Sequence, residues 1–147
     1  MHYNFSDRLV MDQMERDGEF IETAEFSGNM YGTTRAAVEA VTEGGKICIL
    51  DIDVQGVKAV KETDLSPLYV FIKPPSLEVL EQRLRDRGTE TEESLSKRLG
   101  AAAAEMEYGE TEGNFDIIIV NDDMEAAYVQ LRDFVIPELE KIYHDRK

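Results

Sequence analysis

The chain has 147 residues, 42% hydrophobic and 32% charged, with 16 Lys and Arg against 31 Asp and Glu, a formal net charge of −15. One domain with a real core is expected; the apolar content excludes a disordered chain, and no run nears the roughly 18 apolar residues that span a bilayer. A field this negative excludes general binding to a nucleic-acid backbone or to anionic lipid, but not a small anionic ligand held by a few local arginines.

In chain order, Ser6 reads as the N-cap of a short helix with Val10 and Met14 on one face and Gly18 just past its end. Glu19 to Phe26 reads as extended, followed by a turn at Ser27-Gly28-Asn29. Thr33-Thr34 caps a second helix through Ala36, Ala37, Val38 and Val41, stopped by Gly44-Gly45. Ile47 to Asp53 is a short apolar run ending in acids, the pattern of a strand buried on both faces of a parallel sheet. Leu68 to Ile72 is a second such run, closed by Pro74-Pro75. Ser76 then caps a helix with Leu77, Leu80 and Leu84 inward. Thr89 with Glu92 reads as a capping box for a helix striped by Leu95, Leu99, Ala102 and Met106. Phe115 to Val120 is a third buried strand, and Asp122 with Glu125 opens a long C-terminal helix that Pro137 should kink or restart. This alternation predicts an α/β fold with a parallel sheet covered by helices.

The opening residues carry neither a basic n-region nor an apolar h-region, so no signal peptide is expected. Cys48 is the single cysteine and sits in an apolar run, which reads as a buried thiol in a reducing compartment. Two histidines at the extreme ends and one cysteine argue against a zinc site.

Three places offer chemistry. Asp51 and Asp53 stand at the carboxyl end of an apolar run, where open parallel sheets bind ligands. In a strand they share one side, about 6.5 Å apart, and suit a magnesium ion held directly or through water; the alternative is a solvated strand end. Arg83, Arg85 and Arg87 lie within five residues, with Arg98 following a Thr/Glu-rich loop, and Arg83 and Arg87 share a helix face. They form either a solvated salt-bridging face or a forked clamp on phosphates that closes as a lid. Gly28 to Thr34 places a phenol and hydroxyls before a helix N-terminus; local sequence favours an ordinary turn and cap over an anion site. No G-x-x-x-x-G-K-[ST] loop occurs: the one Gly-Lys pair, Gly45-Lys46, is followed by Ile47.

In order and spacing, a set of segments resembles the guanylate kinase family of P-loop nucleoside monophosphate kinases, eukaryotic members above all. They are Gly18 to Glu22, Phe26 to Thr33, Leu50 to Gly56, Pro74-Pro75-Ser76, Arg87 to Ser94, Lys97-Arg98-Leu99 and Val120 to Asp123. The resemblance implies a three-layer P-loop kinase-like parallel sheet flanked by helices. It adds a GMP-binding part at about 1–45 and a helical lid at about 84–100. It implies the parent reaction ATP + GMP to ADP + GDP in purine nucleotide metabolism, with Mg2+ as cofactor and a cytoplasmic setting. Glu22 then reads the guanine N1 and N2 hydrogens, since one carboxylate accepts both donors. Tyr3 and Tyr31 bind the GMP phosphate, and Thr33 helps bind GMP. Asp51 and Asp53 stand near GMP and the magnesium network. Arg83, Arg87 and Arg98 gather on ATP and the transferring phosphoryl as the catalytic arginines, and Asn121 lies near the adenine loop.

The family's first strand and P-loop have no counterpart in these residues, so the resemblance implies an N-terminally truncated domain, weakly active or inactive alone. The sheet edge so exposed implies self-association. The alternative function is a non-catalytic guanylate kinase-like module that binds peptides in the former GMP cleft. The retained arginines and lid rank it second.

Overall fold

The structure is a computed structural model that describes residues 7–26 and 29–145. The expected Ser6 cap, Tyr3 and the turn residues Ser27 and Gly28 lie outside them. The chain divides into two compact units, Met1–Ser66 and Pro67–Lys147.

In the first unit, α1 (Arg8–Arg16) is capped by Asp7, whose Oδ1 accepts from the Leu9 amide at 2.8 Å. Its half-buried residues include Met11 and Met14, whereas Val10 is 52% exposed, so the inward face is turned by one residue from the expected one. Strands β1 (Phe20–Phe26) and β2 (Asn29–Thr34) pair antiparallel. The second strand replaces the turn expected between Gly28 and Thr34, because its amides find a ladder on β1 that local sequence does not reveal. A bulge between Phe20 and Glu22 buries Ile21 and sets Glu22 opposite Thr33. Thr34 then caps α2 (Arg35–Glu43), which ends at Gly44 as expected.

Ile47 to Asp53 forms no strand, and Ile49 is 75% exposed. The residues have strand character, but a strand exists only through its ladder, and no neighbour pairs with them among the described residues. An unexpected helix follows, α3 (Val54–Lys61), which packs against β1 and buries Val54, Val57 and Val60. With Ile21 and Val38 these form the first unit's core.

In the second unit, β3 (Val70–Lys73) and β4 (Ile117–Val120) pair in parallel, Val70 opposite Ile117 through Lys73 opposite Val120. The pairing continues past the strand ends, with the Asp116 amide on Tyr69 O and the Asn121 amide on Lys73 O, both at 2.8 Å. Between them run α4 (Leu77–Arg87), capped by Ser76, and α5 (Glu92–Glu110). Leu84, Leu95, Ile119 and Ala127 are the buried core, with Ile119 fully enclosed. Tyr69, Phe71 and Tyr108 surround Phe115, the Phe71 and Phe115 ring centres 5.1 Å apart. The final helix, α6 (Met124–Asp145), runs unbroken through Pro137 rather than restarting there. It is capped by Asp123, whose Oδ1 accepts from the Glu125 amide at 2.8 Å; the expected Asp122 instead offers its carbonyl to Arg83. Together the elements make the mixed α/β class with a parallel strand pair. No helix among the described residues is long and apolar enough to cross a membrane.

Candidate functional site

The first unit brings Glu22 and Thr33 together. The bulge at Ile21 places them across from each other on β1 and β2, and the Thr33 hydroxyl donates to Glu22 Oε1 at 2.7 Å in a half-buried setting. One carboxylate oxygen is thereby oriented while Oε2 makes no hydrogen bond among the described residues. A carboxylate fixed this way is an acceptor for paired N–H donors on a planar base edge. Gly32, between Tyr31 and Thr33, keeps this hairpin closed, since a Cβ there would meet the Phe20 ring at 2.7 Å. Tyr31 is 39% exposed beside it.

Asp53 caps α3, its Oδ1 accepting from the Gly56 amide at 2.8 Å. One of its oxygens is therefore committed to the helix before any ligand arrives. Asp51, two residues earlier, is exposed. No cluster of three or more His, Cys, Asp or Glu groups suited to a metal forms among the described residues.

The second unit carries the arginines, and the structure gives each a different part. Arg83 donates through Nη1 to the Asn121 carbonyl at 2.9 Å and through Nη2 to the Asp122 carbonyl at 3.3 Å. It thus ties α4 to the loop between β4 and α6, bringing Arg83 and Asn121 together through the main chain. Arg85 pairs with Glu81 at 2.9 Å and with Glu92 at 2.6 Å, beside a groove of about 220 Å3 lined also by Leu95, Ser96 and Leu99. The hydrogen bonds it donates to Glu92 and then to Glu81 hold the Arg85 guanidinium above its ordinary pKa, and Arg85 in turn holds the Glu92 carboxyl below its own. Arg85 therefore belongs to the salt-bridging face of the two readings. Arg87 is exposed and makes no ion pair among the described residues.

Arg98 approaches Glu90 Oε1 at 3.0 Å through Nε, and the Glu90 side chain is only 10% exposed. Ser94 donates its hydroxyl to Glu90 Oε2 at 2.6 Å. The same serine closes the capping box of α5 with Thr91: the Ser94 amide meets Thr91 Oγ1 at 3.1 Å and the Thr91 amide meets Ser94 Oγ at 2.9 Å. The box sits two residues beyond the expected Thr89 and Glu92, which frees Glu92 for Arg85. Glu90 is not among the sequence candidates. Nothing periodic links it to Arg98, because the turn between α4 and α5 interrupts the helical register.

The guanylate kinase description matches residues 1–138. The chain is 55% identical to guanylate kinase of Sus scrofa and 53% identical to that of Homo sapiens. Each match covers 139 residues, 95% of this chain and about 70% of the relative (70% and 71%). The chain belongs to the guanylate kinase family. A crystal structure of guanylate kinase from Anaplasma phagocytophilum superposes with a TM-score of 0.67 at 31% identity, over 93% of this chain and 65% of that one. Family membership accounts for the order of the motifs: the hairpin with Glu22 and Thr33, the acid pair ahead of α3, and the arginine-rich α4–α5 segment.

Proposed function

We propose that this chain carries the guanine-reading wall, the lid and the adenine-side loop of an ATP-dependent GMP kinase, parent reaction ATP + GMP to ADP + GDP. The observation that supports it best is the Thr33–Glu22 hydrogen bond, which leaves Glu22 Oε2 ready to accept from a base edge with two adjacent N–H donors. Guanine presents N1–H and N2–H there; adenine presents a ring acceptor instead. In this reading Thr33 contributes to the GMP site, and Tyr3 and Tyr31 hold its phosphate. Arg83, Arg87 and Arg98 serve the ATP phosphates and the transferring phosphoryl, and Asn121 serves the adenine side.

Asp51 and Asp53 fit a hydrated magnesium ion: both are hard oxygen donors, and Asp53 retains an oxygen beyond its cap. When bound, Mg2+ supplies neutralisation of polyphosphate charge. We place this function in the cytoplasm, in purine nucleotide metabolism.

The 147 residues hold no G-x-x-x-x-G-K-[ST] sequence, the loop that cradles β- and γ-phosphates in P-loop kinases. As a polypeptide of their own they are therefore expected to turn over slowly or not at all, since phosphoryl transfer depends on preorganised charge. Calorimetry should show GMP bound in preference to AMP by the wild type, with that preference lost in Glu22→Ala. Equal affinity of the variant for GMP refutes the role of Glu22. Coupled ADP release with ATP, GMP and Mg2+ at the rate of a full-length relative refutes the impairment.

A further inference from the structure

We propose that Glu90, braced by Ser94, is a positioning residue for Arg98. It anchors the guanidinium at Nε, so that both terminal nitrogens remain available to the polyphosphate of a nucleoside triphosphate. The inference rests on the reading of Arg98 as a phosphate ligand and adds what holds it in place.

Four observations carry it. The pair meets most closely through Nε, an ion-pair contact at 3.0 Å, and no nitrogen of the Arg98 guanidinium makes a hydrogen bond among the described residues. The Glu90 side chain is 10% exposed while that of Arg98 is 48% exposed, so the anchor is sheltered and the fork is open. The second Glu90 oxygen is occupied by the Ser94 hydroxyl at 2.6 Å, which removes the carboxylate's freedom to swing. Ser94 is itself fixed by two hydrogen bonds within the capping box. The chain of restraint thus runs from the first turn of α5 through Ser94 and Glu90 to Arg98, one turn further along the helix. A long arginine side chain loses much rotamer entropy on binding an anion; ordering it beforehand removes part of that cost. Arg85 supplies the contrast. Its Nε, Nη1 and Nη2 are all engaged by Glu81 and Glu92, so it offers no free fork.

An acid beside a phosphate-binding arginine has two opposed effects. It orients the cation, and it lowers the local positive potential. Their signs differ on binding, so Glu90→Gln, which keeps the shape and removes the charge, distinguishes them.

The test uses the whole 147-residue chain, titrated with ATP and with AMP and followed by NMR. Arg98→Ala should weaken ATP binding about tenfold, as loss of a charged hydrogen-bonding partner does, and leave AMP nearly unchanged. Glu90→Gln should weaken ATP binding about threefold or more in the same selective way, and should add nothing in the Arg98→Ala background. A merely structural role would lower ATP and AMP affinity together. Ser94→Ala should shift ATP affinity in the same direction by less, and it carries the test if Glu90→Gln does not fold. ATP binding by Glu90→Gln as tight as or tighter than wild type, with Arg98→Ala still impaired, overturns the positioning alone. Arg98→Ala binding ATP like wild type, or a wild type with no preference for ATP over AMP, overturns the phosphate role of Arg98 and the positioning with it.

Discussion

Two glycines in the same helix should respond to alanine with opposite signs. Gly100 and Gly109 both lie in α5. A Cβ on Gly100 meets nothing within 4 Å, so Gly100→Ala adds helix propensity alone, a gain of up to about 1 kcal/mol. A Cβ on Gly109 falls on the Phe71 ring, reaching Cζ at 2.5 Å and the nearer ring carbons closer still. That ring cannot simply retreat, because its centre lies 5.1 Å from that of Phe115, which Tyr69 and Tyr108 also flank. Overpacking of this kind costs about 1–3 kcal/mol. Near the end of the helix the propensity gain is at most about 1 kcal/mol, so the net for Gly109→Ala is a loss of up to about 2 kcal/mol, centred near about 1. At about 3 °C per kcal/mol for a chain of this length, the two variants should melt on either side of wild type and about 6 °C apart. Thermal unfolding followed by near-ultraviolet circular dichroism reports the aromatic cluster directly. Gly109→Ala as stable as Gly100→Ala would show that α5 is not seated on Phe71, and the packing argument for the second unit would fall.

Asp53 has a cap to lose as well as a proposed ligand role. Asp53→Ala should cost about 1 kcal/mol, whereas Asp53→Asn, itself a good N-cap, should stay within a few tenths; equal losses in urea unfolding would reject the cap. The Arg85–Glu92 pair predicts a pH dependence. Because the folded Glu92 carboxyl lies below its ordinary 4.5, its contribution is complete above that pH and disappears as pH falls through the lower folded value. In a carboxyl NMR titration, Arg85→Met should return Glu92 toward 4.5; an unchanged titration midpoint would exclude Arg85 as the cause.

Local punctuation made much of the fold legible. Ser76, Thr34 and Gly44 mark helix ends where expected, because a cap or a stop acts within one turn of the chain. The leucines of α4 and the Leu95 to Met106 stripe of α5 face inward as their spacing requires. Capping boxes were harder to place. Thr89–Glu92 matches the Thr-x-x-Glu pattern and Thr91–Ser94 does not, yet the box forms at Thr91–Ser94 while Glu92 and Glu90 pair with Arg85 and Arg98. At the other helix, Arg83 takes the Asp122 carbonyl and Asp123 does the capping.

By itself, then, the sequence determined the α/β class, several helix starts and stops within a residue or two but not the existence of α3, and through its ordered motifs the family. Those rest on residue type and short spacing. Tertiary structure decided which apolar runs became strands. Asn29–Thr34 did, because β1 pairs with it; Ile47–Asp53 did not, because nothing does among the described residues. It also decided how the charged residues divide. Arg85 is consumed by its carboxylates, Arg83 holds a loop, and Arg98 is anchored at one end and open at the other. A charge's part depends on which partners folding brings within about 3 Å of it; sequence spacing reveals such partners within one helix, as for Arg85 and Glu81, but not across a turn, as for Arg98 and Glu90.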